Sequence, residues 1–317
     1  MKRTLIVGTI GILVLVACQK DIEIDIAQEA PRLAIYSMLQ PDSLVSVWVS
    51  HSKSVTDASR IRAVTEAQVI VSSDQGLVET LTLVDSMRGQ YRANFAPQPG
   101  VAYHLSVTAE SYPPAEATTT VPIPVSLADV SYTIVPANKP TQYRDDTNFA
   151  DTVTRYAFAL TFSDPASEKN YYMVSNALQY WGVLGAYQSS EGEWVTEYDT
   201  LETIASNHSV DPAVQDLESL TSEPYRGYQD YYFTDELFNG LEYTFDYKAE
   251  VDEAFPLSMV VTLTTYHEDA YQYVRTSWQQ EYFDDLLFEI VPLAQNIKGG
   301  YGIFGSFSYS RVIVELN

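Results

Sequence analysis

Cysteine is all but absent from this chain: Cys18 is the only one in 317 residues. No disulfide can form within it, so the fold must be held by buried apolar surface, and a hydrophobic content of 46% over this length suffices for two cores of ordinary size. Basic residues are also scarce, with 18 Lys and Arg against 42 Asp and Glu, a net charge of −24. That balance argues against nucleic acid as a partner, since gripping a phosphate backbone needs a basic surface. It also keeps the body of the protein off anionic headgroups. After Cys18 no apolar run approaches the roughly 18 residues of a membrane-spanning helix.

Histidine is sparse too. His51, His104, His208 and His267 are scattered, and His267-Glu268-Asp269 lacks the second histidine of a helical zinc pair, so no metal site is assigned. There is no G-x-S-x-G elbow and no free thiol to serve as a nucleophile. Gly300-Tyr301-Gly302-Ile303-Phe304-Gly305 satisfies G-x-G-x-x-G, but only Ser306 to Asn317 follow it, too few for the helix and acidic residue a dinucleotide site requires. Its glycines read better as turns and as a bent strand where Cβ atoms would clash, and no cofactor is expected. Adjacent carboxylates such as Asp145 with Asp146 and Asp284 with Asp285 are what so acidic a chain produces on its surface. The chain reads as a non-enzyme.

What is present begins at the amino end. Lys2 and Arg3 precede an apolar run from Leu5 to Ala17, which ends in a small residue before Cys18. This is the pattern of a bacterial lipoprotein signal peptide over residues 1–17, with Cys18 lipidated and anchoring the chain in a membrane. Residues 18–31 are then an acidic tether. Gln19, Lys20, Asp21 and Glu23, with Ile22 interrupting, resemble the export signal of Bacteroidota lipoproteins facing outward from the outer membrane. The resemblance implies a lipid-anchored outer-membrane protein exposed on the cell exterior. A calcium loop is not expected there, because the Gly turn and closing Glu are missing.

From Leu33 to Val121 short runs with period-two alternation are broken by turn residues, giving about seven strands. They are Leu33 to Met38, Val45 to Ser50, Ala67 to Ser72, Val78 to Val84, Tyr91 to Phe95, Tyr103 to Ala109 and Ala117 to Val121. An immunoglobulin-like β-sandwich over residues 32–121, without its usual cysteine pair, fits this spacing. Val121-Pro122-Ile123-Pro124 marks a boundary, since alternate prolines favour an extended connector. Residues 122–317 then form a β-rich domain with one or two short helices. Strands are expected at Val153 to Phe162, Leu241 to Val251, Leu257 to Tyr266, Ile303 to Phe307 and Arg311 to Leu316. Ala137 to Ala150 and Asn207 to Asp230 are expected to loop out. Tyr271, Val274 and Trp278 share one helical face within Glu268 to Phe283. The expected fold class is mainly β.

Aromatic residues make up 13% of the chain. Tyr225, Tyr228, Tyr231 and Tyr232 cluster beside an expected loop. Tyr180 and Trp181, with Tyr187 and Trp194 around Gly182 and Gly185, form a second group. Tyrosine suits strand surfaces, which is the stronger reading, and both groups are retained as candidate contacts for an unidentified small ligand.

Cys18-Gln19-Lys20-Asp21-Ile22-Glu23, Phe233-Thr234-Asp235-Glu236-Leu237-Phe238-Asn239-Gly240, the Tyr271 to Trp278 segment and Asn296-Ile297-Lys298-Gly299-Gly300-Tyr301-Gly302-Ile303-Phe304-Gly305 together resemble a domain-of-unknown-function lipoprotein family of Bacteroidota. Lys298 departs from related sequences, which often carry an acidic or small residue there. The resemblance implies an accessory of a TonB-dependent outer-membrane receptor in uptake, with no catalytic residues to carry over. The alternative is a structural or adhesive surface protein.

Cells fed an alkyne-tagged fatty acid are expected to label the wild-type protein, and Cys18→Ser is expected to remove the label. An unmodified amino terminus on protein taken from native membranes would overturn the anchor.

Overall fold

The computed structural model describes residues 30–53, 59–135, 154–166, 168–190, 193–209, 211–214, 230–251, 255–283 and 292–316. The expected signal peptide over residues 1–17, Cys18 to Glu23 and the loop expected over Ala137 to Ala150 lie outside the described residues, as does most of the one expected over Asn207 to Asp230.

The amino-terminal strands alternate as their sequences require. β1 (Leu33–Leu39) and β2 (Ser46–His51) bury every second residue. They are followed by β3 (Gln68–Ser73), β4 (Val78–Thr80), β5 (Thr82–Asp85), β6 (Gln90–Arg92), β7 (Ala102–Thr108) and β8 (Ala115–Thr120). One layer runs β1-β2-β6-β5 and the other β4-β3-β7-β8. Lettered in chain order these are A-B-E-D against C′-C-F-G, the strand order of an immunoglobulin-like sandwich. Leu33, Ile35, Val47 and Val49 from one layer meet Val69, Val71, Leu105 and Val107 from the other in a single apolar core. The single strand expected over Val78 to Val84 is two strands. Leu81, buried and donating its N–H to the Val69 carbonyl at 2.8 Å, is where the chain leaves one layer for the other.

The second half is also built of two layers. β9 (Leu127–Val135), β10 (Thr154–Ser163), β13 (Ser206–His208) and β15 (Glu242–Val251) form a sheet in the order β13-β15-β10-β9. β11 (Tyr171–Gln188) pairs with β12 (Trp194–Thr203) and β14 (Tyr231–Thr234) on one side and with β16 (Pro256–Tyr266) on the other. Phe158, Phe162, Tyr172, Phe233, Phe245 and Leu263 fill the core between the layers. The region expected to loop from Asn207 thus contains part of a strand, because residues 206–208 pair with Lys248 to Glu250. Among the described residues there is one α-helix, α1 (Glu268–Phe283), and a single 3-10 turn at Asp235–Leu237.

The two strands expected over Ile303 to Phe307 and Arg311 to Leu316 are one, β17 (Tyr301–Glu315). Ser308, Tyr309 and Ser310 interrupt the apolar pattern, yet a ladder is made by backbone, and they pair with Thr265, Thr264 and Leu263. β17 lies parallel to β1 from Tyr301 to Ser306 and antiparallel to β16 from Phe307 to Glu315. A nine-stranded sheet therefore runs through both halves. Ile297 and Phe304 come from the far end of the chain into the amino-terminal core.

The residues leading into β17 explain the motif around them. Asn296 accepts from the Phe304 N–H at 3.0 Å and donates to the Phe304 carbonyl at 2.9 Å and to the Asp269 carboxylate at 3.0 Å. Gly302 has φ +105°, and a Cβ there would sit 1.9 Å from the Ile35 carbonyl oxygen. At Gly305 a Cβ would lie 2.8 Å from that of Ala270, so the missing side chain lets α1 rest on β17. The glycine run is a docking surface for strand and helix.

Gly302→Ala must displace either β1 or β17, and we expect a loss of about 3 kcal/mol read from the urea midpoint. Gly185→Ala, with nothing within 4 Å of the added Cβ, is the control and should shift stability by less than about 1 kcal/mol.

Candidate functional site

β11 is 18 residues long, against the usual 3 to 10, and spans about 60 Å at a rise of about 3.4 Å per residue. Its first half buries Tyr172, Val174, Asn176 and Leu178 against the second core. Its second half buries nothing. Pairing with β16 ends at Tyr180 opposite Pro256, and from Gly182 to Gln188 the only neighbouring strand among the described residues is β12. The result is a two-stranded ribbon reaching past the sheet.

Cross-strand partners share a face, which sorts the ribbon's side chains. Trp181 opposes Thr200 and Val183 opposes Tyr198. A bulge at Leu184 then shifts the register, so that Gly185 opposes Glu197, Ala186 opposes Thr196 and Gln188 opposes Trp194. One face therefore carries Trp181, Val183, Tyr198 and Trp194. The other carries Glu197, Asp199 and Tyr187 over Gly182 and Gly185. Exposure is 47% at Trp181, 55% at Tyr198 and 74% at Trp194, large values for rings that a soluble surface would cover. The stretch Tyr171 to Thr203 contains Glu191, Glu193, Glu197, Asp199 and Glu202 and no Lys or Arg.

The sequence-predicted aromatic residues are divided among different environments. Tyr231 is a core residue, 3% exposed, with its ring 5.5 Å from that of Phe245. Tyr232, on the opposite face of β14, lies beneath α1 with its ring 6.2 Å from Tyr271 and 6.4 Å from Tyr266. Tyr180 packs at the margin of the second core, whereas Trp181 is exposed. Tyr180 and Trp181 stand on a strand, not in a loop. Val174 is the partner of Tyr231, and Tyr180 is six residues farther along β11, about 20 Å away, so the two groups do not form one surface. Tyr225 and Tyr228, like Cys18, Gln19, Lys20, Asp21 and Glu23, lie outside the described residues. Tyr198 and Val183 were not singled out in the sequence. The signal for them is alternation on two strands read across a hairpin with a bulge.

Several buried polar groups are structural. The Tyr172 hydroxyl and the Gly240 N–H both donate to Asp164. Burial raises the Asp164 carboxyl above the ordinary range, opposed by these two hydrogen bonds and reinforced by Asp235 nearby. Asp235 accepts from the Asn170 N–H at 2.9 Å and from the Asn239 amide at 2.8 Å. The Phe233 to Gly240 segment thus fastens β14 to the start of β11.

A polar cleft of about 480 Å³ separates the outward face of β3, β7 and β8 from the start of α1. Asp74 and His104 line one wall, His267 and Asp269 the other. Asp269 is held by Asn296, and His267 Nδ1 is 3.8 Å from its carboxylate. Among the described residues no three His, Cys, Asp or Glu side chains are grouped to hold a metal ion.

The family model for a domain of unknown function, DUF4249, matches residues 19–312. The chain belongs to this family. Two of the four segments that suggested the family, Phe233 to Gly240 and Asn296 to Gly305, are the fastenings described above. No curated protein matches the sequence. Among solved structures, the chain is similar to the Streptococcus agalactiae AgI/II polypeptide BspA C-terminal domain at 10% identity, covering 75% of this chain and 96% of that one with a TM-score of 0.17. A second, named BspA_C_WT, gives 9% identity, 76% and 96% coverage and a TM-score of 0.18. Similarity at this level carries nothing about role.

Burial raises the phenols of Tyr172, Tyr232, Tyr247 and Tyr266 above their ordinary value of 10.0. The folded state therefore holds more protons than the unfolded chain above that pH, so this contribution is fully present below pH 10.0 and stability falls as the pH rises beyond it. Absorbance titration at 295 nm is expected to show an early exposed population and a second that ionises only with loss of the fold.

Proposed function

We propose that this protein is a non-catalytic binding protein, held on the outside of the outer membrane by a lipid at Cys18 and serving as an accessory of a TonB-dependent uptake receptor. The observation that carries the binding role is the ribbon. Trp181, Tyr198 and Trp194 lie on one face of a ribbon that has no buried residue, and large exposed apolar patches are sites of protein contact. The rings pair with no other aromatic among the described residues. The acidic start of the mature chain and the resemblance of Gln19 to Glu23 to a surface-export signal support the location. The polar cleft beside α1 offers a separate place for a small polar ligand.

The immunoglobulin-like strand order favours a second reading, a structural or adhesive surface protein. Deletion separates the two. Slower growth on one scarce nutrient supports uptake, and weakened attachment with normal growth supports adhesion.

A photo-crosslinking amino acid in place of Trp194, in intact cells, is expected to capture an outer-membrane barrel, with yield cut at least about fivefold by Trp181→Ala. Recovery of no outer-membrane partner would overturn the receptor role.

A further inference from the structure

The direction of the hydrogen-bonding groups along β12 can be read from three contacts. In an antiparallel strand the N–H and C=O of one residue point to the same side, and the side alternates along the chain. The Ser189 N–H of the β11 end donates to the Glu193 carbonyl at 2.7 Å, so Glu193, Val195, Glu197 and Asp199 bond toward β11. Trp181, opposite Thr200, sends its N–H to the Phe255 carbonyl at 3.0 Å, away from β12. The Thr200 N–H is taken by the neighbouring Asp199 carboxylate at 2.7 Å. Trp194, Thr196 and Tyr198 therefore point their main-chain groups away from β11, and among the described residues β12 is the end of the sheet with no strand on that side.

We infer that β12 is a β-augmentation edge that takes an extended, basic segment of a partner protein. This rests on the reading of the ribbon as a partner-binding surface and specifies its chemistry. An added strand would draw its main-chain bonds from Trp194, Thr196 and Tyr198. Its side chains alternate between two faces of opposite character. Those on the first face lie beside Trp194 and Tyr198, which suits aromatic or β-branched residues. Those on the second lie beside Glu197 and Asp199, which suits Lys or Arg. Tyr171 to Thr203 itself supplies no Lys or Arg to balance that face. Charge complementarity thus selects the occupant, and the same carboxylates repel a second copy of β12.

The test uses the full mature protein and a synthetic peptide of about ten residues alternating lysine with valine, compared with the same peptide carrying glutamate for lysine. The lysine peptide is expected to bind at least about tenfold tighter, to weaken with salt, and to slow amide exchange at Thr196 and Tyr198. Thr196→Pro removes one edge donor at a position where an edge strand accepts proline, so the fold should survive while binding falls about tenfold; Thr196→Ala keeps the donor and should bind as wild type. Glu197→Lys with Asp199→Lys should reverse the preference between peptides. Equal binding of the two peptides, or undiminished binding by a folded Thr196→Pro protein, overturns the inference. Failure with receptor capture at Trp194 intact sinks this inference alone. Peptide selectivity without receptor capture upholds the edge chemistry and sinks the receptor role instead.

Discussion

Both cores depend on the last strand lying in two ladders at once. β17 runs parallel to β1 and then antiparallel to β16, so the backbone of residues 301–315 completes a sheet begun near the opposite end of the chain. A parallel pairing between such distant segments carries the entropic cost of closing a very long loop. Offsetting that cost are close approaches that tolerate no side chain at Gly302, the double hydrogen bond from Asn296 to Phe304, and the insertion of Ile297 and Phe304 into the amino-terminal core. The Ser306 hydroxyl continues the join by donating to the Thr120 carbonyl at 2.7 Å and contacting the Thr119 hydroxyl at 2.8 Å. With no disulfide possible, this shared strand replaces a covalent staple.

The ribbon stands apart from that economy. Elsewhere many large rings are placed between layers or beneath the helix: Phe158 on Tyr247, Phe233 on Phe245, Tyr171 beneath Tyr271. At the distal half of β11 the same residue types face solvent. A two-stranded ribbon gains little stability by itself in water, and an open edge invites unwanted pairing, so natural sequences place charge there. Glu193, Glu197, Asp199 and Glu202 do this, and in doing so give the edge a sign. One arrangement serves both protection from self-association and selection of a cationic partner.

Several features were legible from residues alone. Alternation of Val45, Val47 and Val49 marked β2, and the spacing of Tyr271, Val274 and Trp278 marked α1. The glycine run at the start of β17 was read as a place where Cβ atoms would clash, and Gly302 against Ile35 is that clash. Tyr231 and Tyr232 show the limit of such reading. Adjacent on a strand, they face opposite ways, one into a core and one beneath a helix, and nothing local to them says that both sides are covered. The break of Val78 to Val84 at Leu81 was hidden for a related reason, since a strand that changes layers keeps its alternation.

Composition and period by themselves determined a mainly β chain, acidic and free of internal disulfides, because net charge, cysteine count and side-chain alternation are properties of sequence. Only the tertiary structure decided which tyrosines are core and which rings reach solvent, and that one strand serves both halves. Those outcomes depend on what packs against each face, and the packing partners lie up to the whole length of the chain away.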